Sequence, residues 1–301
     1  MASMRPDPSH RSVPSERSRG LVADSDSVAD GLSVIVPAKD ESASLPQLVA
    51  EIARALRPLT VGTAPSLRWF EVVLVDDGST DATRDVARAL AADFPELRAV
   101  ILAENVGQSA ATAAGFRAAR GEWVATLDAD LQNDPADLAR LWDALPGHDV
   151  ALGWRRRRRD VWSKRLISRW ANRARNRVLG QTIRDTGCSV RIFSREMALR
   201  LPMFQGCHRF FGPLLLREGC AVVQLPVNHR ERPHGTSHYN LWNRSIRVVV
   251  DLFGVAWLLR RPVRYRLAAD ARDESPTTGT SPHAPHQARR VPGQGREVAQ
   301  E

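Results

Sequence analysis

Three oxygen-bearing side chains, Asp128, Asp130 and Gln132, follow an apolar run at residues 124–127 in the stretch WVATLDADLQNDP. The run predicts a buried strand, and its abrupt end predicts a loop that carries the acids. Residues two apart on an extended chain point to the same side, about 7 Å apart, so both carboxylates can approach one cation. Mg²⁺ and similar cations are usually held by one or two carboxylates, waters and diphosphate oxygens. The stretch predicts such a cation site; the alternative is an acidic turn without a ligand.

Apolar runs alternate with amphipathic segments on both sides of this stretch. Such alternation predicts an α/β protein with a mostly parallel sheet and helices on both faces, whose ligands bind beyond the carboxyl ends of the strands. The loops at residues 37–41, 76–81, 105–108 and 128–132 fall at that edge. We expect strands at 32–36, 70–75, 98–102, 124–127, 149–152 and 222–227, and helices at 44–56, 82–92 and 109–119.

Further acids follow the first two predicted strands. Asp76 and Asp77 open the segment DDGSTD, which is also what a tight turn before a helix would contain. Buried neighbouring carboxylates cost free energy unless they accept hydrogen bonds, and a nucleobase and a ribose supply N–H and O–H donors. Glu41 follows the first strand, and its carboxylate would need hydrogen-bond donors for the same reason. These acids therefore predict a nucleoside site, with a structural turn as the alternative.

Seven segments together resemble a known family. In chain order, SVIVPAKDES, VVLVDDGSTD, NVGQSAATAAGF and ATLDADLQNDP resemble the nucleotide-sugar domain of family 2 glycosyltransferases. GWRRRRRD, DTGCSVRIFSRE and VNHRERPHGTSHYN resemble the branch that makes polyprenyl-phosphate sugars, such as dolichyl-phosphate mannose synthase and bacterial undecaprenyl-phosphate sugar transferases. The resemblance covers residues 32–264. It implies a GT-A fold that binds a UDP- or GDP-sugar and a divalent cation, Mg²⁺ or Mn²⁺.

The resemblance also implies roles for individual residues. Lys39 and Asp40 stand where many members have Tyr and Asn, so the contact with the base differs here. The residues assigned to the nucleotide sugar are Pro37, Lys39, Glu41, Asp76, Asp77, Asp128 and Arg155. The metal ligands are Asp128, Asp130 and Gln132.

The reaction itself is assigned to a second set of residues. Asp185 matches an acid that the family keeps close to the metal and the donor, and His238 stands where many relatives have Lys. The catalytic residues implied are Asp130, Asp185, Arg232 and His238. Those implied to contact the acceptor phosphate are Arg169, Arg232 and His238.

A strongly basic block follows the fifth predicted strand. Residues 155–184 contain twelve Lys or Arg and one acid, Asp160, in a chain whose formal net charge is +9. Residues 163–179 place Leu166, Ile167 and Trp170 on one stripe of a predicted cationic helix, as in helices that lie at a membrane interface. An ordinary surface helix is the alternative, and nucleic-acid binding ranks last because no recognition fold or aromatic-rich sheet motif accompanies the helix. Whether residues 156–159 bind lipid or are only solvated is left open.

The ends of the chain differ from its middle. Residues 1–30 and 267–301 are polar and predict disordered tails, which leaves a GT-A domain at 31–240 and an amphipathic membrane-interface segment at 241–266. No signal peptide and no apolar run of transmembrane length is found, and three widely spaced cysteines predict neither a disulfide framework nor a zinc site. We therefore expect a cytoplasmic protein, peripheral on the cytoplasmic face of an anionic membrane. A homo-oligomer is left open.

The sequence thus predicts an inverting, metal-dependent glycosyltransferase. It would move a sugar from a nucleoside diphosphate sugar to a polyprenyl phosphate, for an envelope glycan or a lipid A-type modification. One alternative keeps the donor but uses a polysaccharide or another hydroxyl acceptor. The second alternative is a non-catalytic protein that binds a membrane surface.

Overall fold

The structure is a computed structural model that describes residues 31–61, 66–155, 177, 183–233 and 241–261, with the side chains of 241–249 left out of the description. Several predictions concern residues outside these ranges: both tails, the basic helix at 163–179 with Arg169, and His238. Those predictions, and the domain boundaries, stay as predictions.

In the described ranges, seven strands form one sheet in the order β3-β2-β1-β4-β6-β5-β7. All neighbouring strands are parallel except at β6, which is antiparallel to both β4 and β5. The strands are β1 Leu32–Ala38, β2 Phe70–Asp76, β3 Leu97–Ile101, β4 Trp123–Thr126, β5 Val150–Arg155, β6 Arg191–Ser194 and β7 Val222–Val227.

Helices cover both faces of the sheet, which confirms the predicted fold class. One face packs on the first, second and fourth helices, and the other on the remaining ones, so each face has its own apolar core. The helices are α1 Leu45–Leu56, α2 Thr83–Asp93, α3 Gln108–Ala118, α4 Ala136–Asp143, α5 Arg195–Arg200, α6 Phe211–Arg217 and α7 Leu241–Leu259. Short 3₁₀ turns lie at Arg57–Thr60 and Cys207–Arg209.

The strand β1 is longer than its apolar run predicts. It continues through Pro37 to Ala38, where it still pairs with β2, while its pairing with β4 ends at Ile35. Proline is tolerated in a strand where one hydrogen-bonded neighbour is missing. This extension carries the residues after Ala38 to the carboxyl edge of the sheet, beside the ends of β2 and β4.

The last described helix, α7, is buried on one side only. Val255 and Ala256 are buried in the second core, whereas Val250, Phe253 and Trp257 are 64%, 63% and 59% exposed. These three positions recur at helical spacing and form an exposed apolar stripe. Among the described helices, none is both long and apolar enough to cross a bilayer.

Candidate active site

The described candidate residues gather at the carboxyl edge of the sheet. The loop after β4, residues 128–134, is called the DAD loop here, and residues 228–233, which follow β7, are called the post-β7 loop. Asp128 and Asp130 begin the first loop, and Arg232 lies in the second. The other described candidates at this edge are Pro37, Lys39, Glu41, Asp76, Asp77, Gln132, Arg155 and Asp185.

The two acids of the DAD loop are close enough to repel each other. Loss of hydration raises the pKa of Asp128, and the neighbouring Asp130 carboxylate raises it further. Gln108, at the start of α3, donates its amide Nε2 to Asp128 Oδ1 at 2.8 Å. The pair therefore concentrates negative charge, as a cation site requires.

Arg232 reaches this acidic pair from the post-β7 loop. Its Nη2 donates to Asp130 Oδ2 at 2.5 Å. Glu41 also faces the cluster: burial raises the pKa of Glu41, while the charge of Arg232 opposes that rise. One guanidinium thus lies among three carboxylates contributed by the ends of β1 and β4.

The two carboxylates fit a divalent cation of the kind that binds diphosphates. Among the described residues no group of three or more His, Cys, Asp or Glu is arranged to hold a metal, but Mg²⁺ in phosphate sites commonly takes only one or two carboxylates. Leu131 is buried with φ 60°, a conformation uncommon for a branched residue and often found near functional sites. The chain therefore turns between Asp130 and Gln132, and the main-chain N–H of Gln132 donates to Asp130 Oδ1.

Arg155 and Asp185 form a bidentate pair on the far side of the cluster. Arg155 Nε and Nη2 donate to the two carboxylate oxygens of Asp185 at 2.7 and 3.0 Å. Both side chains are largely buried, at 15% and 10% exposure, so the pair is fixed rather than solvated. The end of β5 is thereby joined to the loop that precedes β6.

Asp76 and Asp77 have protein partners of their own. Both oxygens of Asp77 accept main-chain N–H groups, from Val106 at 2.8 Å and Gly107 at 2.9 Å. Asp76 Oδ1 accepts the N–H of Ser79. These bonds show how the acids are satisfied without a ligand, so their contact with a nucleoside stays a prediction.

Lys39 is engaged with its neighbour. Its Nζ lies 2.8 Å from Asp40 Oδ2, and Asp40 Oδ1 accepts the N–H of Thr80 at 2.7 Å. The loop after β1 is thus tied to the loop after β2. These are the two positions at which the sequence departs from the common family pattern, and the departure replaces two neutral side chains with an ion pair.

A cavity of about 290 Å³ opens beside Asp128. Pro37, Arg155 and three residues that the sequence did not single out, Gln108, Ser189 and Arg191, are part of its lining. Arg191 is 5% exposed, and its guanidinium donates to the carbonyls of Thr186 and His208. Burial lowers the pKa of Arg191.

Some of these residues carried no usable sequence signal. Arg191 lies in the segment DTGCSVRIFSRE, whose pattern does not single out this residue. Its burial depends on the antiparallel pairing of β6. Gln108 begins a helix in which a polar first residue is ordinary. Only their three-dimensional position beside Asp128 marks them as site residues.

A mostly parallel sheet with carboxylates and arginines gathered at its carboxyl edge defines the class of α/β proteins that bind nucleotides there. Residues 33–201 match the model of the family described as "Glycosyl transferase family 2". The chain belongs to that family and is a glycosyltransferase.

Its relatives include a dodecaprenyl-phosphate galacturonate synthase of Rhizobium johnstonii, 36% identical over 239 residues that span 77% of this chain and 68% of that protein. An undecaprenyl-phosphate 4-deoxy-4-formamido-L-arabinose transferase of Aeromonas hydrophila is 35% identical over 235 residues, spanning 77% of this chain and 69% of the relative. The enzyme of the same name from Pseudomonas aeruginosa is 38% identical over 239 residues, spanning 78% and 67%.

Solved structures share the fold. Glucosyl-3-phosphoglycerate synthase of Mycobacterium tuberculosis, crystallised with phosphoglyceric acid, superposes with a TM-score of 0.55 at 22% identity and covers 76% of this chain and 80% of its own. The same enzyme has been crystallised with Mn²⁺, UDP and phosphoglyceric acid, with a TM-score of 0.55, 23% identity and coverage of 75% and 78%. This likeness confirms the GT-A architecture.

Proposed function

We propose that this glycosyltransferase moves one sugar from a nucleoside diphosphate sugar to the phosphate of a polyprenyl phosphate. One observation carries the proposal: Arg232, from the post-β7 loop, meets the acidic pair of the DAD loop. An acceptor that is itself a phosphate needs a cation beside the donor's leaving group, because the two anions repel each other. The names of the two relatives contain dodecaprenyl phosphate and undecaprenyl phosphate, which supports the same acceptor class.

The chemistry needs no strong base. An oxygen of the acceptor phosphate, already anionic at neutral pH, attacks the anomeric carbon as the bond from that carbon to the donor phosphate breaks. The bonding electron pair leaves with the nucleoside diphosphate, and no proton has to move. Attack opposite to the leaving group inverts the anomeric centre. Catalysis then depends on positioning and on charge stabilisation.

The chain's own residues divide this work. Asp128 and Asp130, with Gln132, would hold a Mg²⁺ or Mn²⁺ ion, which neutralises charge on the leaving diphosphate when bound. Arg155, fixed by Asp185, would lie beside the donor, and Arg232 beside the incoming phosphate. Arg169 and His238, which lie outside the described residues, remain predicted acceptor contacts.

The nucleoside would lie over the ends of β1 and β2. Pro37 lies at the end of the pairing of β1 with β2, and Lys39 and Glu41 follow that strand. Asp76 ends β2, and Asp77 follows it. The main-chain N–H of Asp77 donates to the carbonyl of Ala38 at 2.9 Å, so the two strand ends are held together. This arrangement supports one continuous surface for a base and a ribose.

We also propose that the protein works at the cytoplasmic face of an anionic membrane. The exposed stripe of α7 supplies apolar contact, and the exposed Arg260 and Arg261 follow it directly. Aromatic and cationic side chains side by side suit the headgroup region. Cys188, Cys207 and Cys220 are free thiols, which fits a reducing compartment.

A transfer assay tests the proposal. Purified protein is incubated with undecaprenyl phosphate, Mg²⁺ or Mn²⁺, and a panel of UDP- and GDP-sugars, and the lipid product is followed by mass. We expect a cation-dependent lipid-phosphate sugar from one donor. Donor hydrolysis with no lipid product would instead exclude the polyprenyl phosphate and favour a hydroxyl acceptor.

The site assignment has its own test. Asp128→Ala removes one of the two carboxylates, and we expect it to lower kcat at saturating donor by about 100-fold or more, the scale of losing one electrostatic contact in a transition state. Asp149→Ala, a carboxylate at the opposite edge of the sheet that accepts the N–H of Ala221, serves as the control. Near wild-type turnover of Asp128→Ala would show that the site is misplaced.

A further inference from the structure

The two loops that carry Asp130 and Arg232 are joined along their main chains. The N–H of Arg230 donates to the carbonyl of Gln132 at 2.7 Å. Asn133 and His229 form an isolated antiparallel bridge beside it. The post-β7 loop therefore lies directly on the DAD loop.

The side chain of Arg230 fastens this contact. Nη1 lies 2.6 Å from Glu51 Oε2 on α1, and Nη2 lies 2.9 Å from Asp134 Oδ1 in the DAD loop. The side chains of Glu51 and Asp134 are 15% and 18% exposed, and that of Arg230 is 37% exposed. A planar guanidinium that bridges two carboxylates fixes direction as well as distance. One side chain thus connects a helix, the DAD loop and the post-β7 loop.

We propose that Arg230 is a positioning residue for the transfer reaction. By holding the post-β7 loop on the DAD loop, it places Arg232 against Asp130, where Arg232 meets the incoming phosphate of the lipid acceptor. The role of Arg232 rests on the proposed function, whereas the fastening by Arg230 rests on the contacts alone. The post-β7 loop, which would contact the acceptor phosphate, is thereby held on the DAD loop, which would contact the donor.

The alternative is that the contacts of Arg230 are an ordinary surface ion pair with no role in the reaction. The chain contains another arginine–carboxylate pair that serves for comparison. Arg57 Nε and Nη2 donate to Glu96 at 2.8 and 3.1 Å, and Glu96 precedes β3 at the opposite edge of the sheet. Pairs of that kind contribute little to stability. Arg57→Ala therefore removes a comparable ion pair without touching either loop, and it is the control for Arg230→Ala.

The experiment compares Arg230→Ala, Arg232→Ala, their double variant and Arg57→Ala in the full chain. We expect Arg230→Ala to raise KM for undecaprenyl phosphate about tenfold, the scale of a lost charge-assisted contact, with Kd for the free nucleoside diphosphate unchanged. Because Arg230 acts through Arg232, the double variant should be no worse than Arg232→Ala alone. Arg230→Lys keeps the positive charge but lacks the planar guanidinium that bridges two carboxylates. It should therefore raise KM for undecaprenyl phosphate less than Arg230→Ala does.

Three results would overturn the proposal. In the first, Arg230→Ala leaves KM for undecaprenyl phosphate as unchanged as Arg57→Ala does. In the second, the double variant raises this KM by the product of the two single effects. In the third, Arg230→Ala weakens binding of the nucleoside diphosphate as much as binding of the lipid. Amide hydrogen exchange gives a readout that needs no lipid product: Arg230→Ala should speed exchange across residues 228–233, and unchanged exchange there refutes the fastening itself. A wild-type protein that makes no lipid product would refute the acceptor class and leave the exchange result to decide the role of Arg230.

Discussion

Asp40 ties two loops of the nucleotide edge together from a backbone conformation that few residues other than glycine adopt. Its φ is 55°, which Asp and Asn tolerate better than most side chains. Oδ1 accepts the N–H groups of Thr80 and Asp81, and Lys39 Nζ lies near Oδ2. The hydrogen bond from Lys39 is the main reason that the pKa of Asp40 is lowered to about 2.

This pKa predicts how stability depends on pH. The ordinary pKa of 3.8 applies in the unfolded chain, so the unfolded state binds the proton more readily than the folded state. The contribution of the Asp40 charge is therefore fully present above pH 3.8 and is lost as the pH falls through about 2. Asp40→Asn keeps an acceptor oxygen and tolerates the same φ but removes the charge.

The measurement is urea unfolding of both proteins across a pH series. The side chain of Asp40 is 42% exposed, so solvent screening limits the difference in free energy of unfolding to about 1 kcal/mol or less. We expect that difference to be constant near neutral pH and to shrink below pH 3.8. A difference that does not change with pH would show that the pKa of Asp40 is not lowered in the folded protein.

At this scale the sequence predicts local features and misses distant ones. Asp128 and Asp130 were found because two acids end an apolar run. The contact between Arg232 and Asp130 spans 102 positions, and no spacing rule reaches that far. The main-chain donors that satisfy Asp77 come from a loop 29 and 30 positions away, so the sequence suggested only a ligand or a local turn for this acid.

Among the elements, α3 approaches β1 unusually closely, and Gly115 permits it. A Cβ atom built on Gly115 would lie 2.3 Å from Ile35 Cγ2, in the second core. Both residues belong to elements whose ends carry the site: β1 leads to Glu41, and α3 begins with Gln108. A shift of α3 would move the amide that donates to Asp128.

Two helical glycines therefore respond oppositely to alanine. Gly115→Ala should lower the free energy of unfolding by about 1–3 kcal/mol, the cost of overpacking a core. Gly254→Ala, in α7 with nothing within 4 Å of the added atom, should raise it by about 0.5–1 kcal/mol, because alanine has the higher helix propensity. Denaturant unfolding measures both. A stabilising Gly115→Ala would show that α3 packs less closely than described.

Element prediction succeeded where periodicity was strong. The six expected strands and three expected helices are present, and no end differs from the expected residue by more than three positions. The antiparallel β6 was not identified, because a four-residue strand next to a turn gives little pattern, and its direction depends on pairing between β4 and β5. The short helices α5 and α6 are too brief for a periodic signal.

For the molecule as a whole, the proposed lipid acceptor would bring the enzyme to a membrane, and we propose that α7 makes that contact. A polyprenyl chain is insoluble, so its phosphate must be taken at a bilayer surface while the nucleotide sugar arrives from water. Arg261 lies over the Trp257 ring at 5.1 Å, which places a cation next to the apolar stripe. Apolar burial and attraction to anionic headgroups would then act on the same helix.

Vesicle binding tests this arrangement. Phe253→Ser and Trp257→Ser should each weaken partitioning onto anionic vesicles about tenfold, the scale of burying one large apolar side chain. Leu199→Ser, an equally apolar change at a 47% exposed position on α5, is the control and should bind like wild type. Removing Arg260 and Arg261 should weaken binding to anionic vesicles but hardly alter binding to neutral ones, and high salt should have the same effect as their removal. Equal partitioning of Leu199→Ser and Trp257→Ser would mean that another part of the chain meets the membrane, because the stripe on α7 would then contribute no more than any exposed leucine.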